Sequence, residues 1–376
     1  LIEIKEVTKK FGDKTAVNNL NLIIPEGCMT MLLGPSGCGK TTTLRMINRL
    51  IEPTSGDILI KGKSIKSLDP VILRREIGYV IQEVGLFPHY SVFDNIAIVP
   101  RLLNWKEEEI KKRVGEVLDL VTLNSTYADK YPLQLSGGER QRVGIARGLA
   151  ADPEVLLMDE PFGAIDPINR EVLHESFLDI QEEIKKTIVF VTHDINEAIK
   201  LGDSLAIMKD GELIQFDSVE EILDNPEDEF VEHLLGHDRN LKALSLRKVK
   251  DCVTNTGFVK VTEEDSRETV EKIMKEKELD AAYLVDGKGL LKGRYVYRKQ
   301  KKKGRSAGGL QLEKNPAFLE RNVNLTESLS RMLEAGEKIL PVVSRRGKFV
   351  GVISISDIFE QVETAEKKAA SPSRED

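Results

Sequence analysis

The stretch "MTMLLGPSGCGKTTTLRMINRL" (29–50) constrains this chain more than any other. It is an apolar β-type run, then a glycine-rich turn, then a segment of helical period. Gly34 to Thr41 fits G-x-x-x-x-G-K-[ST]. Gly34, Gly37 and Gly39, with Ser36 among them, let backbone N–H groups turn inward around an anion, at the positive end of the following helix. Lys40 can reach the outer phosphates of a nucleoside triphosphate such as ATP. Thr41 and Thr42 open the helix, and the Thr41 hydroxyl suits Mg²⁺. A chain built around such a strand–loop–helix unit is an α/β protein with a parallel sheet.

A second constellation stands at 153–161, "PEVLLMDEP". Four apolar residues in a row read as a strand buried on both faces of that sheet. Asp159 and Glu160 lie at its carboxyl end, where ligands bind in open α/β sheets. Asp159 is placed to hold Mg²⁺ through water, and Glu160 to face the γ-phosphate and polarise an attacking water. The plainer alternative is a carboxylate pair capping a helix. Between the two lies "LQLSGGERQRVGIARGLA" (133–150), in which Ser136, Gly137 and Gly138 expose N–H groups at the start of a helix running to about Ala150. That is a further anion site, and a single triphosphate does not need two on one chain.

The 376 residues leave room for a large domain and one or two small ones. A net charge of −7 argues against a dedicated nucleic-acid binder. Cys28, Cys38 and Cys252 have no metal-ligand spacing and fit a reducing compartment. No apolar run approaches the ~20 residues of a membrane span, and "LIEIKEVTKKFG" does not read as a signal peptide. The expectation is a cytosolic chain; if it works at a membrane, other subunits supply the span.

Residues 135–142, "LSGGERQR", resemble the signature sequence of the ABC transporter ATPases. In that family this loop caps the ATP held by the opposite subunit, so the resemblance implies a head-to-tail homodimer. The other family motifs follow in order. Phe11 in "KKFGDK" matches the aromatic that stacks on adenine. Gln82 in "YVIQEVGLFPH" matches the glutamine that senses Mg²⁺ and water beside the transmembrane contact. Asp166 in "GAIDP" matches the D-loop, and His193 in "IVFVTHD" the histidine that touches the γ-phosphate. Singly, Phe11, Gln82 and His193 read as ordinary structural residues; order and spacing single them out. The implied fold is a RecA-like core with an α-helical subdomain at about 90–150, the whole domain spanning 1–236. Strands are expected at about 2–6, 20–24, 29–33, 57–61, 77–81, 154–158, 187–191 and 203–208.

After a connecting segment at 237–252 the chain repeats itself. "ETVEKIMKEKELDAAYLVDGKGLLKGRYV" (268–296) aligns with "ESLSRMLEAGEKILPVVSRRGKFVGVIS" (327–354), with Val285 and Val343, Gly289 and Gly347, and Gly293 and Gly351 each 58 positions apart. Both units resemble CBS domains, β-α-β-β-α modules that pair in tandem and bind adenine nucleotides; the expected bounds are 253–308 and 309–364, before a disordered tail at 365–376. "GVISISD" (351–357) matches the family pattern in which a hydroxyl and a carboxylate hold ribose, making Ser354 and Asp357 ligand candidates for an adenine mononucleotide or dinucleotide. A helix N-cap accounts for the same residues equally well. The matching positions of the first unit, Val296 and Lys299, carry neither group.

"NRLIEPTSG", "LRREIGYVIQEVGLFPH" and "AIMKDGELIQFDSVEEILDNPEDEFVEHLLG" resemble the glycine betaine/carnitine/choline importers. The resemblance implies ATP hydrolysis that powers solute import, with ATP and Mg²⁺ as cofactors. It implies integral membrane permease subunits and an extracytoplasmic solute-binding protein or domain as partners, at the cytoplasmic face of the inner membrane. Another ABC importer branch (polyamine, sugar or amino acid) is the alternative. A soluble ABC protein acting on nucleic acid would typically carry two cassettes, whereas this chain has one P-loop. The run "RKQKKKGR" (298–305) reads either as a solvated hairpin or loop, or as a salt-dependent contact with anionic membrane lipid.

Overall fold

The computed structural model describes residues 2–361 apart from Glu83, Ala164, Asp280, Lys303 and Gly304, and of 297–302 and 305–310 it describes the backbone alone. The expected disordered tail at 365–376 and the side chains of Lys299, Lys301, Lys302 and Lys303 lie outside the described residues. The chain divides into two compact units. The first holds the residues up to Ile222 with Pro226–Leu235, and the second Leu223–Asn225 with the residues from Gly236 onward.

In the first unit the elements run β1 (Ile2–Phe11), β2 (Lys14–Ile24), β3 (Met29–Leu33), α1 (Lys40–Ile47), β4 (Ser55–Ile60), β5 (Lys63–Ser64), α2 (Pro70–Glu76) and β6 (Ile77–Val80). Then come α3 (Val92–Leu102), α4 (Glu107–Leu120), α5 (Gly137–Leu149), β7 (Val155–Asp159), α6 (Pro167–Ile184), β8 (Thr187–Val191), α7 (Ile195–Leu201), β9 (Ser204–Lys209) and β10 (Glu212–Ser218). Two short helices, α8 (Val219–Asp224) and α9 (Glu229–Leu235), follow.

Six strands form the main sheet in the order β10-β9-β3-β8-β7-β6, parallel from β9 to β6. Every residue of β3, β7 and β8 is buried, as unbroken apolar runs in a parallel sheet require. Each buried Leu, Ile, Val or Phe contributes roughly 1.5–3 kcal/mol relative to exposure, so the centre of this sheet is the rigid part of the unit. Four neighbouring parallel strands, β3, β8, β7 and β6, direct their carboxyl ends to the same edge.

A second sheet, β2-β1-β4-β5, is antiparallel. Its strands are longer than the expected 2–6 and 20–24. β1 continues to Phe11, which pairs with Lys14 across the Gly12–Asp13 turn. The register shifts between Ile4 and Val7, Val7 and Lys9, and Lys9 and Lys10, so apolar alternation is lost where the strands in fact continue. Helices α3, α4 and α5 pack on one another as the helical subdomain.

The second unit begins with α10 (Arg239–Leu246) and holds β11 (Val259–Val261), α11 (Arg267–Glu276), β12 (Ala281–Val285), β13 (Leu291–Lys302), β14 (Arg305–Glu313), β15 (Leu319–Glu320), α12 (Leu325–Ala335), β16 (Ile339–Val343) and β17 (Phe349–Ser354). The 58-residue repeat reappears in the hydrogen-bond register. Val261 pairs with Leu284 as Leu319 pairs with Val342, and Leu284 pairs with Gly293 as Val342 pairs with Gly351. The halves join reciprocally: Leu291 N donates to Gly347 O (3.3 Å) and Phe349 N donates to Gly289 O (2.9 Å). Phe258, Tyr283 and Phe349 pack between them, with ring centroids 5.1–5.9 Å apart.

The first half departs from β-α-β-β-α. Where the second half turns helical over 355–361, β13 continues to Lys302 and returns as β14, paired as far as Lys302 with Arg305. The second half has an N-cap hydroxyl at Ser354, whereas the matching Val296 cannot stop a strand in that way.

Candidate nucleotide site

The loop after β3 takes its shape from its glycines. Gly34, Gly37 and Gly39 have φ of 149°, 83° and 107°, a region that side chains rarely adopt. A Cβ at Gly34 would lie 2.1 Å from Met208 O, and one at Gly39 2.6 Å from Ala16 O. Gly39 is the N-cap of α1 and offers no side chain to it, so the first N–H groups of the helix remain for an anion. Lys40 is buried, and its Nζ donates to Gly34 O (2.6 Å) and Pro35 O (3.0 Å), folding over the loop that it would share with phosphate. Ser36 is exposed, whereas Thr41 and Thr42, in the first turn of α1, are half-buried.

At the next strands the carboxylates come in. Thr41 Oγ1 donates to Asp159 Oδ1 (2.8 Å), joining the start of α1 to the end of β7. Burial raises the Asp159 carboxyl above its ordinary pKa and Glu160 adds to the rise, while Thr41, Arg45 and Lys40 oppose it. Glu160 has φ 45°, left-handed backbone in a residue that is not glycine, of a kind that costs about 1–3 kcal/mol and gathers at functional sites. Its N–H donates to Val191 O (2.9 Å), which locks it beside β8. Glu160 Oε2 accepts from Gln82 Nε2 (3.3 Å) and from His193 Nδ1 (3.1 Å). Three residues named for their motifs thus meet at one carboxylate oxygen, 33 and 78 positions from Glu160 in the chain.

Mg²⁺ is a hard cation that takes oxygen ligands, commonly one or two from the protein and the rest from phosphate and water. The hydroxyl of Thr41 and the carboxylate of Asp159, already 2.8 Å apart, fit it, with the amide of Gln82 close by at Glu160. Among the described residues no group of three or more His, Cys, Asp or Glu stands ready for a metal, and an ion shared with a nucleotide does not need one.

Five named residues stand apart from this cluster. Phe11 is half exposed at the β1–β2 turn, with Lys9 Nζ 4.9 Å from its ring centroid; β2, onto which it pairs, carries Ala16, whose carbonyl oxygen would lie 2.6 Å from a Cβ at Gly39. Asp166 caps α6, accepting from Asn169 N (3.2 Å) and Nδ2 (2.8 Å), which holds its carboxyl below the usual range. Ser136 caps α5: its Oγ accepts from Glu139 N (3.3 Å) while Glu139 Oε2 accepts from Ser136 N (2.6 Å). Gly137 and Gly138 form the exposed and half-exposed first turn. Among the described residues no hydrogen bond links Ser136–Gly138 to the loop at Gly34–Thr42.

The motifs passed over Arg147. From the last turn of α5 its Nη1 donates to Gly85 O (2.6 Å) and its Nη2 to Val84 O (2.7 Å), clamping the loop that carries Gln82. Gly144, one turn earlier, makes room for Val84, whose Cγ1 would lie 2.8 Å from a Cβ there. In the sequence Arg147 is one more Arg in the helix after "LSGGERQR", with nothing local to tie it to the loop at Val84 and Gly85.

In the second unit Ser354 and Asp357 do come together. Ser354 Oγ and N both donate to Asp357 Oδ2 (2.7 Å each), and Asp357 N donates to Ser354 Oγ (3.1 Å). This is a reciprocal helix cap.

Comparison with known proteins identifies the families that the two parts of the chain match. The family described as ABC transporter matches residues 17–163, and the CBS domain family matches 310–364. The carnitine transport ATP-binding protein OpuCA of Listeria monocytogenes is 45% identical over 365 residues, covering 96% of this chain and 92% of its own. The glycine betaine/carnitine/choline transport ATP-binding protein OpuCA of Bacillus subtilis is 43% identical over 367 residues, 96% of each chain. Among solved structures, the ATP-binding cassette MJ0796, a dimer in a post-hydrolysis state bound to ADP and Pi, is 37% identical with a TM-score of 0.53, covering 58% of this chain and 99% of its own. The chain belongs to the ABC transporter ATP-binding proteins, in the branch of the osmoprotectant importers.

Proposed function

We propose that this ATPase works as a head-to-tail homodimer beneath integral membrane permease subunits, at the cytoplasmic face of the membrane, and powers import of a quaternary-ammonium compatible solute such as glycine betaine, carnitine or choline. The observation that carries the catalytic part is the meeting of Gln82 and His193 at Glu160, next to the Thr41–Asp159 bond. Lys40 and the N–H groups of Gly37–Thr42 bind the phosphates, and Phe11 offers its ring to adenine. Glu160 accepts a proton from the attacking water, while Gln82 and His193 orient that carboxylate and the γ-phosphate. Held by Thr41 and Asp159, Mg²⁺ would neutralise charge on the β- and γ-phosphates. Ser136, Gly137, Gly138 and Asp166 would serve the ATP of the opposite subunit, which suits a signature loop that makes no bond to its own phosphate loop. Among the described residues no helix is long and apolar enough to cross a membrane, in keeping with a peripheral subunit.

The solute reading is supported by relatives named for these solutes that match nearly the whole chain. It is tested by reconstituting the chain with its permease and binding protein and measuring ATP-driven uptake of labelled glycine betaine, carnitine and choline. Uptake of a polyamine, sugar or amino acid in their place would move the chain to another branch.

The second unit fits a regulatory role. Ser354 and Asp357 are candidate contacts for an adenine nucleotide, including a dinucleotide, tested by calorimetry on the full chain and on Asp357→Ala. The β13–β14 hairpin carries six basic residues in the eight positions 298–305, each able to contribute about 1 kcal/mol near anionic lipid, screened within ~8 Å at physiological salt. Changing Lys301, Lys302 and Lys303 to Ala should shift the salt threshold of transport in anionic liposomes; an unchanged threshold removes lipid as a partner.

A further inference from the structure

Helices α6 and α7 follow Asp166 and His193 respectively, and three polar bridges join them. Arg170 Nη1 lies 3.7 Å from Asp194 Oδ2, His174 Nε2 donates to Glu197 Oε1 (2.9 Å), and Lys200 reaches both Glu171 and Glu175. The outer bridges are partly exposed and contribute little to stability. The middle one is different, because both its side chains are only 6% exposed. Burying two ionisable groups gains little stability over an apolar pair, so such a bridge is better explained by what it positions.

His174 also touches the other half of the site. Its ring meets Phe162 edge-on at 5.1 Å and 63°. Phe162, fully buried two residues after Glu160, packs in turn on Phe177 and on Phe190 of β8. One side chain therefore bears on the segment that follows Glu160 and, through Glu197, on the short helix that begins just after His193. We propose that His174 is a positioning residue for ATP hydrolysis, setting the separation of Glu160 and His193 by bracing Phe162 against Glu197. This rests on the assignment of His193 to the γ-phosphate. A displacement of about 1 Å in such a pair is enough to slow chemistry by one or two orders of magnitude.

The test uses the purified full chain and compares His174→Phe, His174→Gln, the double variant His174→Leu/Glu197→Leu, and His193→Ala. Phenylalanine keeps the aromatic contact and loses the donor; glutamine keeps a donor; the double variant removes both buried polar groups and so guards against misfolding from an unpaired carboxylate. The expected result is kcat lowered about tenfold or more in the Phe and Leu/Leu variants, with KM for ATP within about twofold of wild type, and most of kcat restored by Gln. Amide exchange over 195–201 should rise in the same two variants. Wild-type kcat in the Leu/Leu variant beside a slow His193→Ala would overturn the strut and leave His193 in place. A Gln variant as slow as Phe, or a rise in KM alone, would also overturn it. A His193→Ala chain with wild-type kcat would overturn the assignment of His193 itself, and the proposal with it.

Discussion

His193 and Glu160 share a hydrogen bond of 3.1 Å at the carboxyl ends of the adjacent strands β8 and β7, and Glu160 holds a left-handed backbone, φ 45°, to make it. Its carboxylate meets Gln82 and His193, while Asp159 next to it is bonded to Thr41. The two neighbouring carboxylates thus keep different partners, as the proposed roles of Asp159 at the metal and Glu160 at water require.

Glu160→Gln should therefore bind ATP and hydrolyse it at least a hundredfold more slowly. The amide keeps the size of the side chain and can still bond Gln82 and His193, but it cannot take a proton, and general-base assistance is typically worth about 10²–10⁴ in rate. Nucleotide binding by fluorescence, single-turnover hydrolysis, and gel filtration with ATP to detect a persistent dimer check this. Wild-type turnover would remove Glu160 from its role.

The signature loop gives a second prediction, because among the described residues no hydrogen bond joins Ser136–Gly138 to the phosphate loop of their own chain. Lys40→Ala and Ser136→Glu chains should each be inactive alone, yet recover hydrolysis when mixed. In the mixed dimer one site combines an intact phosphate loop with an intact signature loop, and the other combines both lesions. No recovery at any mixing ratio, with mixed dimers verified by affinity tags, would make the composite site wrong.

How much of this could be read beforehand depended on where the information sits. The glycine loop, the buried β7 run and the 58-residue repeat are local patterns, and each reappears in the structure: as positive φ at Gly34, Gly37 and Gly39, as an all-buried strand, and as equal ladder register. The lengths of β1 and β2 were not legible, since bulges break the alternation that marks a strand. Nor was the Arg147 clamp, whose partners are backbone carbonyls 62 and 63 positions away. For the basic run the sequence left a hairpin, a loop and a lipid contact open, because a sheet-edge hairpin needs no apolar face to mark it; the backbone pairing of β13 with β14 is the hairpin.

The cap of α5 predicts a pH effect. Glu139 is held below its ordinary carboxylate range first by the Tyr127 hydroxyl (2.6 Å), then by Ser136 N–H. A depressed folded-state pKa stabilises the fold above the unfolded value of about 4.3, and that stability is lost as pH falls through the folded value. Tyr127→Phe should accordingly raise the Glu139 titration midpoint and lower the urea midpoint at neutral pH, with the deficit shrinking as pH falls toward 4. Carboxyl NMR titration of the two proteins decides it. An unmoved midpoint would mean that Ser136 and the nearby Lys130 charge hold the carboxylate without Tyr127.

The last prediction concerns the second unit. Gly293 and Gly351 are repeat equivalents, and each lies close under backbone outside its own strand: a Cβ at Gly351 would sit 2.5 Å from Thr254 O, and one at Gly293 2.9 Å from Glu313 O of β14. At Gly351 the crossing strand is fastened by reciprocal bonds, Thr254 N to Val352 O (2.9 Å) and Val352 N to Thr254 O (3.0 Å), so the backbone cannot retreat without breaking them. Gly351→Ala should cost about 1–3 kcal/mol of overpacking and raise amide exchange over 339–354, while β3, β7 and β8 stay protected. Gly287→Ala is the control: it has no positive φ and nothing within 4 Å of its Cβ position, and should change stability by no more than about 0.5 kcal/mol. Equal effects of the two substitutions would show that close strand crossing is not what keeps glycine at 351.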